Sequence, residues 1–402
     1  MPQPRPSRIL LISNGHGEDL NGGLIADQLL ALRPDLELQA LPIVGDGQAY
    51  RRRGIPLLHQ GAPLPSGGMV YQGLNLWRDL AAGLVQQTLQ QFWAAWRHGR
   101  EADLVLCIGD HVPMAFAWLT GRPAVVFLVS TSSQYEGRLR LPGFSRLFCR
   151  RPAVRAVLTR DVFTARDLQS QGLGRARFCG YPIMDLAPAA GDQATVPLAI
   201  PAGSTPIALL PGSRFPECLH NLLLLTKLCA VLVQQDSGRR WCFHAAVLRG
   251  TEGKELAALA AAVGWTLEAG RLISSDGRVQ VILRSDAFAP ILRSSVLVLG
   301  MAGTAVEQAV GLGKPVVQIP GRGPQFSYAF AEAQMRLLGP AVFTVGQGPA
   351  GRAELEEAAT LIGRLLADPE LPARCAAIGL ERVGPAGGSR GIARAVLEAR
   401  RP

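Results

Sequence analysis

The stretch PIALLPGSR, residues 206–214, joins the five residues of a short apolar run to a small polar turn. An amphipathic helix is predicted soon afterwards, over residues 219–234. A strand that passes through Gly and Ser into a helix brings free backbone N–H groups and the positive end of the helix to one point. The stretch therefore predicts an anion site, to which Arg214 adds a bidentate phosphate contact. The alternative is an ordinary strand–helix turn with a surface arginine.

The same alternation of strands and helices runs through the whole chain and predicts an α/β fold with parallel sheets. A first series of strands is predicted at 8–13, 36–42, 104–108, 124–129, 153–159 and 177–180, with a helix at 20–32. A second series is predicted at 206–210, 240–246, 279–283, 296–300, 315–319 and 341–344. Helices are predicted within the second series at 219–234, 253–263, 286–293, 304–311, 325–337 and 352–366, and a last helix at 391–401.

The stretch between residues 186 and 206 is rich in Pro, Ala and Gly and separates the two series. We therefore predict an N-terminal Rossmann-like domain over 1–188, a linker over 189–205, a C-terminal Rossmann-like domain over 206–385 and a C-terminal helix over 386–402. Two doubly wound domains of similar size are expected to face each other across a cleft. Open α/β sheets bind ligands at the carboxyl ends of their strands.

The composition is that of a folded two-domain chain, with 402 residues of which 48% are hydrophobic and 18% charged. The sequence has no run of eighteen uncharged apolar residues, and its first apolar segment is too short for a signal peptide. A cytoplasmic protein without a transmembrane helix is therefore expected. The seven cysteines are scattered without a Cys-x-x-Cys pair, so neither a zinc site nor a disulfide framework is predicted.

The formal net charge is +10, and nearly all of the basic residues are arginines. Nucleic acid, an anionic membrane surface or phosphorylated substrates could each explain this charge, and so could GC-rich codon usage. No basic block is interleaved with aromatic residues, so no nucleic-acid partner is predicted.

A second candidate ligand turn is GMAGTAVEQ, residues 300–308, which precedes the predicted strand at 315–319. Its glycines would let phosphate groups approach the backbone N–H groups of a helix that begins near Thr304. A polar side chain one turn into that helix, Glu307 or Gln308, could bind a ribose diol. The alternative is tight helix–sheet packing, but two such turns on one domain favour a ligand site.

In the first domain, SNGHGED at residues 13–19 is a Gly-rich turn after the first predicted strand. His16 could act as a general base toward a sugar hydroxyl, because a neutral imidazole is available near pH 7. Asp110 follows the strand at 104–108 and would lie at the same cleft, as a base or as the orienter of a histidine. The alternatives are a helix-capping turn at 13–19 and a loop cap at Asp110.

Two further segments are candidates for contact with a membrane or with a donor sugar. Residues 69–98 carry Trp and Leu at helical spacing, which indicates either a core helix or a helix at a membrane interface. Gln325 lies in the loop at 321–328, where it could bind the hydroxyls of a donor sugar or simply face solvent.

These motifs resemble the lipid-A-disaccharide synthase family, which joins a UDP-linked acylated glucosamine to a lipid acceptor. The most specific segment is ALLPGSR at 208–214, with Glu217 beyond it. Segments 180–185, 303–305 and 315–317 also match, so the resemblance extends thinly over most of the chain. The opening NGHGED at 14–19 resembles a group of synthase-related proteins, since the synthase itself has a different Gly/Ser/Asp loop without this histidine.

The sequence also departs from the family pattern. Counting back from Pro315, Gln308 stands where a diol-binding Glu is expected, and Glu307 lies one residue earlier. Pro113 and Met114 stand where another Asp and an aromatic residue are expected. These departures concern the acceptor side more than the donor side.

The resemblance implies a GT-B fold and an inverting sugar transfer from a UDP-sugar to a lipid or lipid-like acceptor. No cofactor or metal is expected, because helix ends and arginine can neutralise the leaving diphosphate, and a peripheral contact with the inner membrane is expected. We predict His16 or Asp110 as the catalytic base, and Asp110 falls where the family carries a catalytically important Asp. The predicted substrate-binding residues are Asn14, Gly15, Gly17, Glu18, Gly212, Ser213, Arg214, Gly303, Thr304, Ala305, Glu307, Gln308 and Gln325. The alternatives are a UDP-sugar epimerase on the same fold, a non-catalytic nucleotide-sugar-binding protein and a basic nucleic-acid binder.

Overall fold

The chain folds into two α/β units, seen in a computed structural model that describes residues 7–44, 46–59, 84–186, 198–323 and 326–400. Unit 1 comprises Met1–Asp185 together with Pro385–Pro402, and unit 2 comprises Leu186–Gly384.

Unit 1 is built on a six-stranded parallel sheet with the spatial order β2-β1-β3-β4-β5-β6. Its strands are β1 (Arg8–Ser13), β2 (Glu37–Pro42), β3 (Leu104–Gly109), β4 (Ala124–Leu128), β5 (Val154–Thr159) and β6 (Ala176–Phe178). Its described helices begin with α1 (His16–Leu32), α2 (Gln48–Arg51), α3 (Leu84–His98), α4 (His111–Thr120), α5 (Ser133–Glu136), α6 (Gly143–Arg150) and α7 (Val162–Ser170). Short 3-10 helices occur at Gly99–Glu101 and Pro182–Leu186.

The central strands of unit 1 are buried along their whole length, as expected for a parallel sheet covered on both faces. Part of this cover is an aromatic contact in which Phe92 of α3 stacks on Phe116 of α4, with ring centroids 4.3 Å apart. The chain leaves β1 toward β2 on one side and reaches β3 on the other. The carboxyl ends of β1 and β3 therefore lie side by side at the point where the strand order reverses.

Unit 2 is built on an eight-stranded sheet with the order β14-β13-β12-β7-β8-β11-β10-β9. Its strands are β7 (Thr205–Leu210), β8 (Trp241–Ala246), β9 (Trp265–Glu268), β10 (Arg271–Ser274), β11 (Gln280–Arg284), β12 (Leu297–Gly300), β13 (Val316–Gln318) and β14 (Val342–Thr344). Its described helices are α8 (Glu217–Gln235), α9 (Lys254–Ala261), α10 (Phe288–Ser294), α11 (Thr304–Gly311), α12 (Tyr328–Leu338), α13 (Arg352–Ala367) and α14 (Leu371–Arg382), with a 3-10 helix at Gly339–Ala341.

The sheet of unit 2 is parallel except at one edge, where β9, β10 and β11 pair in antiparallel fashion. Ala269 and Gly270 form the turn between β9 and β10 and both have positive φ angles, 45° and 73°. The sequence analysis missed this hairpin because each strand has only four residues. It also missed α14.

Helix α8 is the one described helix that is long and apolar enough to cross a membrane. Of its most apolar stretch, 61% is buried, as in a core helix. Its buried side chains include Leu222, Leu225 and Leu228, so its apolar character is explained by packing.

The last helix, α15 (Gly388–Ala399), belongs to unit 1 although it follows unit 2 in the chain. The carboxylate of Asp185 accepts hydrogen bonds from the backbone N–H groups of Gly387 and Ser389, the latter at 2.7 Å. The backbone of Gly388 lies so close to Tyr181 that an added Cβ would stand 2.4 Å from it. The helix that the sequence analysis set apart from both domains is thus anchored to unit 1.

The predicted α/β class with parallel Rossmann-like sheets is confirmed, and most predicted strands lie within one or two residues of the observed ones. The largest difference is in the first helix, which was expected to begin at residue 20 and begins at His16. The turn SNGHGED is therefore largely the first turn of α1. Residues 189–197 of the predicted linker and residues 69–83 of the Trp-rich segment lie outside the described residues.

We expect Gly391→Ala to destabilise unit 1, because the new Cβ would stand 2.0 Å from the carbonyl oxygen of Cys179. Overpacking of this kind costs about 1–3 kcal/mol of the free energy of unfolding. Gly363→Ala, in the middle of α13 with nothing within 4 Å, is the matched control. It should be neutral or stabilising by about 0.5–1 kcal/mol. Urea denaturation followed by circular dichroism measures both, and equal effects of the two variants would contradict the packing assigned to Gly391.

Candidate functional site

Unit 2 contains a cavity of about 430 Å³ at the carboxyl ends of four neighbouring strands, β12, β7, β8 and β11. Its wall consists of Leu210, Pro211, Gly212, Ser213, Arg214, Glu217, Cys218, Asn221, Ala246, Val247, Leu248, Arg284, Ser285, Phe288, Met301, Ala302, Gly303, Thr304, Ala305, Phe326 and Phe330. Both turns that the sequence analysis selected in this domain therefore line a single cavity. Six of the predicted substrate-binding residues are in its wall: Gly212, Ser213, Arg214, Gly303, Thr304 and Ala305.

The turn after β7 is shaped by its contact with the turn after β12. Gly212 has a φ of 96°, and a Cβ at this position would lie 3.0 Å from the carbonyl oxygen of Met301. Only glycine combines this left-handed conformation with so close an approach of two backbones. The side-chain amide of Asn221 donates a hydrogen bond to the carbonyl of Pro211 at 3.1 Å and so fixes the turn from helix α8.

Glu217 also has a structural task in this turn. It is buried, and its Oε1 atom accepts a hydrogen bond from the backbone N–H of Phe326 at 2.9 Å. Glu217 thus joins the start of α8 to the loop that precedes α12. Asn221 and Phe326 were missed by the sequence analysis because their roles depend on elements that are distant in the sequence.

The turn after β12 is held by a chain of buried amides. Gln334 of α12 donates a hydrogen bond from Nε2 to the carbonyl of Gly303 at 3.0 Å, and its Oε1 accepts one from Gln318 Nε2 at 2.5 Å. Thr344 of β14 donates to Gln318 Oε1 at 3.3 Å. Side chains from α12, β13 and β14 that are not in the cavity wall thus fix Gly303, the N-cap of α11. Gly300, by contrast, is explained by packing, because a Cβ there would lie 2.7 Å from Val306.

Of the helices that begin at this cavity, α8 at Glu217 and α11 at Thr304 follow the two turns described above. The first N–H groups of a helix have no partner within it, although those of Cys218 and Leu219 donate to the carbonyls of Arg214 and Pro216, and each helix carries partial positive charge at this end. Arg214 adds a full positive charge to the wall. The cavity is therefore suited to an anionic ligand.

Two predicted donor residues that the structure describes are not in the wall of this cavity. Glu307 and Gln308 are buried one turn further along α11. Gln325 lies outside the described residues. Arg284, which the sequence analysis did not select, is in the wall, where it forms a bidentate ion pair with Asp286 at 2.8 and 3.1 Å.

In unit 1, the structure brings Asn14 and Asp110 together at the ends of β1 and β3. Asn14 Nδ2 donates to Asp110 Oδ1 at 3.2 Å, and the same oxygen accepts the backbone N–H of Val112 at 2.9 Å. Asp110 is therefore the N-cap of α4. Its second oxygen lies 3.9 Å from His111 Nδ1.

His16 is exposed at the first position of α1, after the N-cap Gly15, and Gly17 beside it is exposed as well. Glu18 reaches across to the loop after β4, where its Oε1 accepts a hydrogen bond from Ser130 at 2.5 Å. A side chain at Gly15 would collide with Glu18, at 2.7 Å from its Oε2. The Gly-rich turn therefore presents the imidazole of His16 to solvent while Glu18 binds within the fold.

A buried carboxyl group lies directly beneath this turn. Asp19 is 2% exposed, and its Oδ1 accepts a hydrogen bond from Ser13 at 2.5 Å. The Ser13 hydroxyl also lies 2.9 Å from that of the buried Tyr50. Burial raises the pKa of Asp19 to about 7, against the opposing effect of the Ser13 hydrogen bond. The sequence analysis placed Asp19 at a helix start and did not foresee its burial.

Among the described residues, no group of three or more His, Cys, Asp or Glu side chains is placed to hold a metal ion. The cysteines occur as free thiols, and burial raises the pKa of Cys107, Cys149 and Cys229.

Comparison with known proteins agrees with this architecture. A lipid-A-disaccharide synthase from Prochlorococcus marinus (strain MIT 9313) is 25% identical over 321 residues, which are 77% of this chain and 75% of that protein. The glycosyltransferase of kitacinnamycin superposes with a TM-score of 0.59 at 17% identity, over 99% of this chain and 100% of that one. A UDP-GlcNAc 2-epimerase from Neisseria meningitidis, solved with UDP-GlcNAc, has a TM-score of 0.58 at 14% identity, over 98% and 100%. No family model matches the chain.

These comparisons define the class of the protein by its fold. Both units have the parallel Rossmann-like sheets of the GT-B architecture, which glycosyltransferases and sugar-nucleotide epimerases share. The chain is in addition similar in sequence to a lipid-A-disaccharide synthase, as its motifs indicated.

We expect the buried carboxyl of Asp19 to make stability fall with rising pH. Between about pH 4, where an unfolded Asp titrates, and about pH 7, the folded protein binds a proton that the unfolded chain has released. Asp19→Asn removes this group while keeping an acceptor for Ser13. The free energy of unfolding of the wild type, minus that of the variant, should fall by a few kcal/mol across this window and then level off. Denaturant titrations at pH 4.5 to 8 measure it, and a constant difference would contradict a protonated Asp19.

Proposed function

We propose that the protein transfers a sugar from a UDP-sugar to a lipid or lipid-like acceptor. The observation that supports a binding site for the UDP-sugar donor is a single cavity. It is lined by Gly212, Ser213 and Arg214 from one turn and by Gly303 and Thr304 from another. Two helix N-termini and an arginine can neutralise a diphosphate there. The sequence similarity to a lipid-A-disaccharide synthase supports the transferase chemistry and the lipid acceptor.

In this proposal the cavity also stabilises the leaving group. Breaking the bond between the sugar and the diphosphate places additional negative charge on the phosphate oxygens. Fixed N–H groups at the starts of α8 and α11, together with Arg214, stabilise this charge without needing to reorganise. The amide chain from Gln318 through Gln334 to Gly303 keeps one of these turns in place. The chemistry proposed here requires no metal ion.

His16 is the stronger candidate for the base that deprotonates the acceptor hydroxyl. It is exposed at the start of α1, whereas Asp110 accepts hydrogen bonds from Asn14 and from the backbone of α4. Asp110 is then a positioning residue that holds Asn14 next to the Gly-rich turn. We propose a cytoplasmic location with peripheral contact to the membrane that holds the acceptor.

UDP is expected to raise the melting temperature of the protein, since a ligand at one hundred times its Kd stabilises by about 2.7 kcal/mol. Arg214→Ala should weaken UDP binding about tenfold or more, because a charged hydrogen bond to phosphate is lost. Arg364→Ala, an exposed arginine on α13, is the matched control and should bind UDP like the wild type. Absence of any shift with millimolar UDP or UDP-sugars would refute the donor site.

Incubation with labelled UDP-sugars and a total lipid extract should give a labelled lipid. His16→Ala is expected to lower kcat by roughly 10²–10⁴, the range typical of a lost general base, while the UDP-induced shift in melting temperature is kept. Asp110→Asn should have a smaller effect on kcat.

A control without lipid separates the alternatives in this assay. Conversion of the UDP-sugar into an isomer without any acceptor, detected by chromatography, would establish an epimerase instead. UDP binding without turnover of any sugar nucleotide would indicate a non-catalytic binding protein.

A further inference from the structure

Helix α3 of unit 1 exposes large apolar side chains along one face. Leu89, Trp93 and Trp96 are 63%, 55% and 47% exposed, and their spacing of four and three residues places them on the same side of the helix. The opposite side is buried through Gln91, Ala94 and Ala95. Large apolar side chains that share an exposed face mark an interaction site more often than scattered ones do.

A second helix of unit 1 also exposes large apolar side chains. On α6, Phe144 and Leu147 are 40% and 59% exposed. Both helices pack on α4, because Phe92 of α3 stacks on Phe116 while Phe144 lies 5.4 Å from Trp118. The exposed side chains of α3 and α6 thus belong to one helical layer of unit 1. We call these five exposed residues, Leu89, Trp93, Trp96, Phe144 and Leu147, the apolar face.

Arginines accompany both helices of the apolar face. Arg97 lies over the ring of Trp93 and Arg100 over that of Trp96, at 5.3 and 4.5 Å from the ring centroids. From residue 137 to residue 160 the chain contains seven arginines and no acidic residue. Residues 84–100 also contain no Asp or Glu. These two segments therefore combine apolar side chains with an excess of positive charge, although Glu101 directly follows Arg100 and Asp167 lies near Arg138.

We propose that the apolar face and its arginines are a docking surface for an anionic lipid bilayer. Trp is favoured at the boundary between headgroups and acyl chains, where its ring is buried and its N–H remains hydrated. Arginine can bury its stem beside such rings while its guanidinium reaches lipid phosphates. A helix with one apolar face and a basic rim lies in the plane of the interface and inserts by 5–10 Å.

The excess of positive charge selects the bilayer among the occupants of such a face. A second copy of the chain would bring the same arginines against each other, which costs energy. A bilayer with anionic headgroups offers complementary charge over the whole surface, at roughly a fivefold gain in binding for each arginine near it. The alternative that the Trp-rich segment is a core helix applies to Phe92, which packs on Phe116, but not to Trp93 and Trp96, which are exposed.

The biological role of this docking surface rests on the proposed function, because the surface would bring the enzyme to a lipid acceptor. Vesicle binding is nevertheless measured without any sugar nucleotide. Failure of the surface and failure of the transferase assignment are therefore distinguishable: the protein can bind vesicles without UDP, and it can bind UDP without vesicles.

The test is cosedimentation of the full chain with vesicles of phosphatidylglycerol and phosphatidylcholine, compared with vesicles of phosphatidylcholine alone. We expect binding to the anionic vesicles only, weakening as salt is raised. The triple variant Leu89→Ser, Trp93→Ser, Trp96→Ser should lose binding at least tenfold. Arg140→Gln with Arg146→Gln should lose roughly 25-fold at low salt.

Matched controls separate the surface from general charge and hydrophobicity. Leu380→Ser alters a leucine that is 62% exposed on α14 of unit 2, and Arg364→Gln with Arg394→Gln removes the same net charge from two other helices. Both controls should bind vesicles like the wild type. The proposal is overturned if the wild type binds no vesicles, if it binds neutral vesicles equally well, or if the apolar and arginine variants bind no worse than the controls. A dimer seen by light scattering and lost in the triple variant, without vesicle binding, would assign the face to self-association instead.

Discussion

One backbone hydrogen bond ties together the two turns on which the candidate donor site depends. The N–H of Met301 donates to the carbonyl of Leu210 at 2.8 Å, one residue beyond the end of the pairing between β12 and β7. Because these strands are parallel neighbours, their following loops must emerge at the same edge of the sheet. Gly212 then permits the contact with Met301 that closes the turn. Helices α8 and α11 consequently begin at the wall of the same cavity.

The polar groups of the two units have different tasks. In unit 2, Glu217, Asn221, Gln318 and Gln334 are buried and bind backbone or one another, which leaves helix N-termini and arginine to meet a ligand. Preorganised groups of this kind favour a charged ligand more than mobile side chains do, because little reorganisation is needed. In unit 1, the carboxylates of Glu18 and Asp110 bind within the fold, and His16 is left at the surface.

The sequence predicted the strands well because each central strand is a continuous apolar run ended by Gly or a small polar residue. It predicted the turns at Gly212 and Gly303 for the same reason: glycines after apolar runs are conspicuous. It failed where the signal was short or ambiguous, as at the hairpin of β9 and β10 and at α14. It also began α1 too late, since His16 and Gly17 have weak helix propensity and depend on the packed helix that follows them for that conformation.

The sequence by itself determined the α/β class, the order of the strands along the chain and the residues that follow each strand, because apolar periodicity and glycines are local signals. Only the tertiary structure decided which of those residues meet. It placed Glu307 and Gln308 away from the cavity wall, buried Asp19 beside Ser13 and Tyr50, returned the last helix to unit 1 and left Trp93 and Trp96 exposed. These outcomes depend on contacts between residues far apart in the chain, and the free energy of such contacts cannot be predicted from a local sequence pattern.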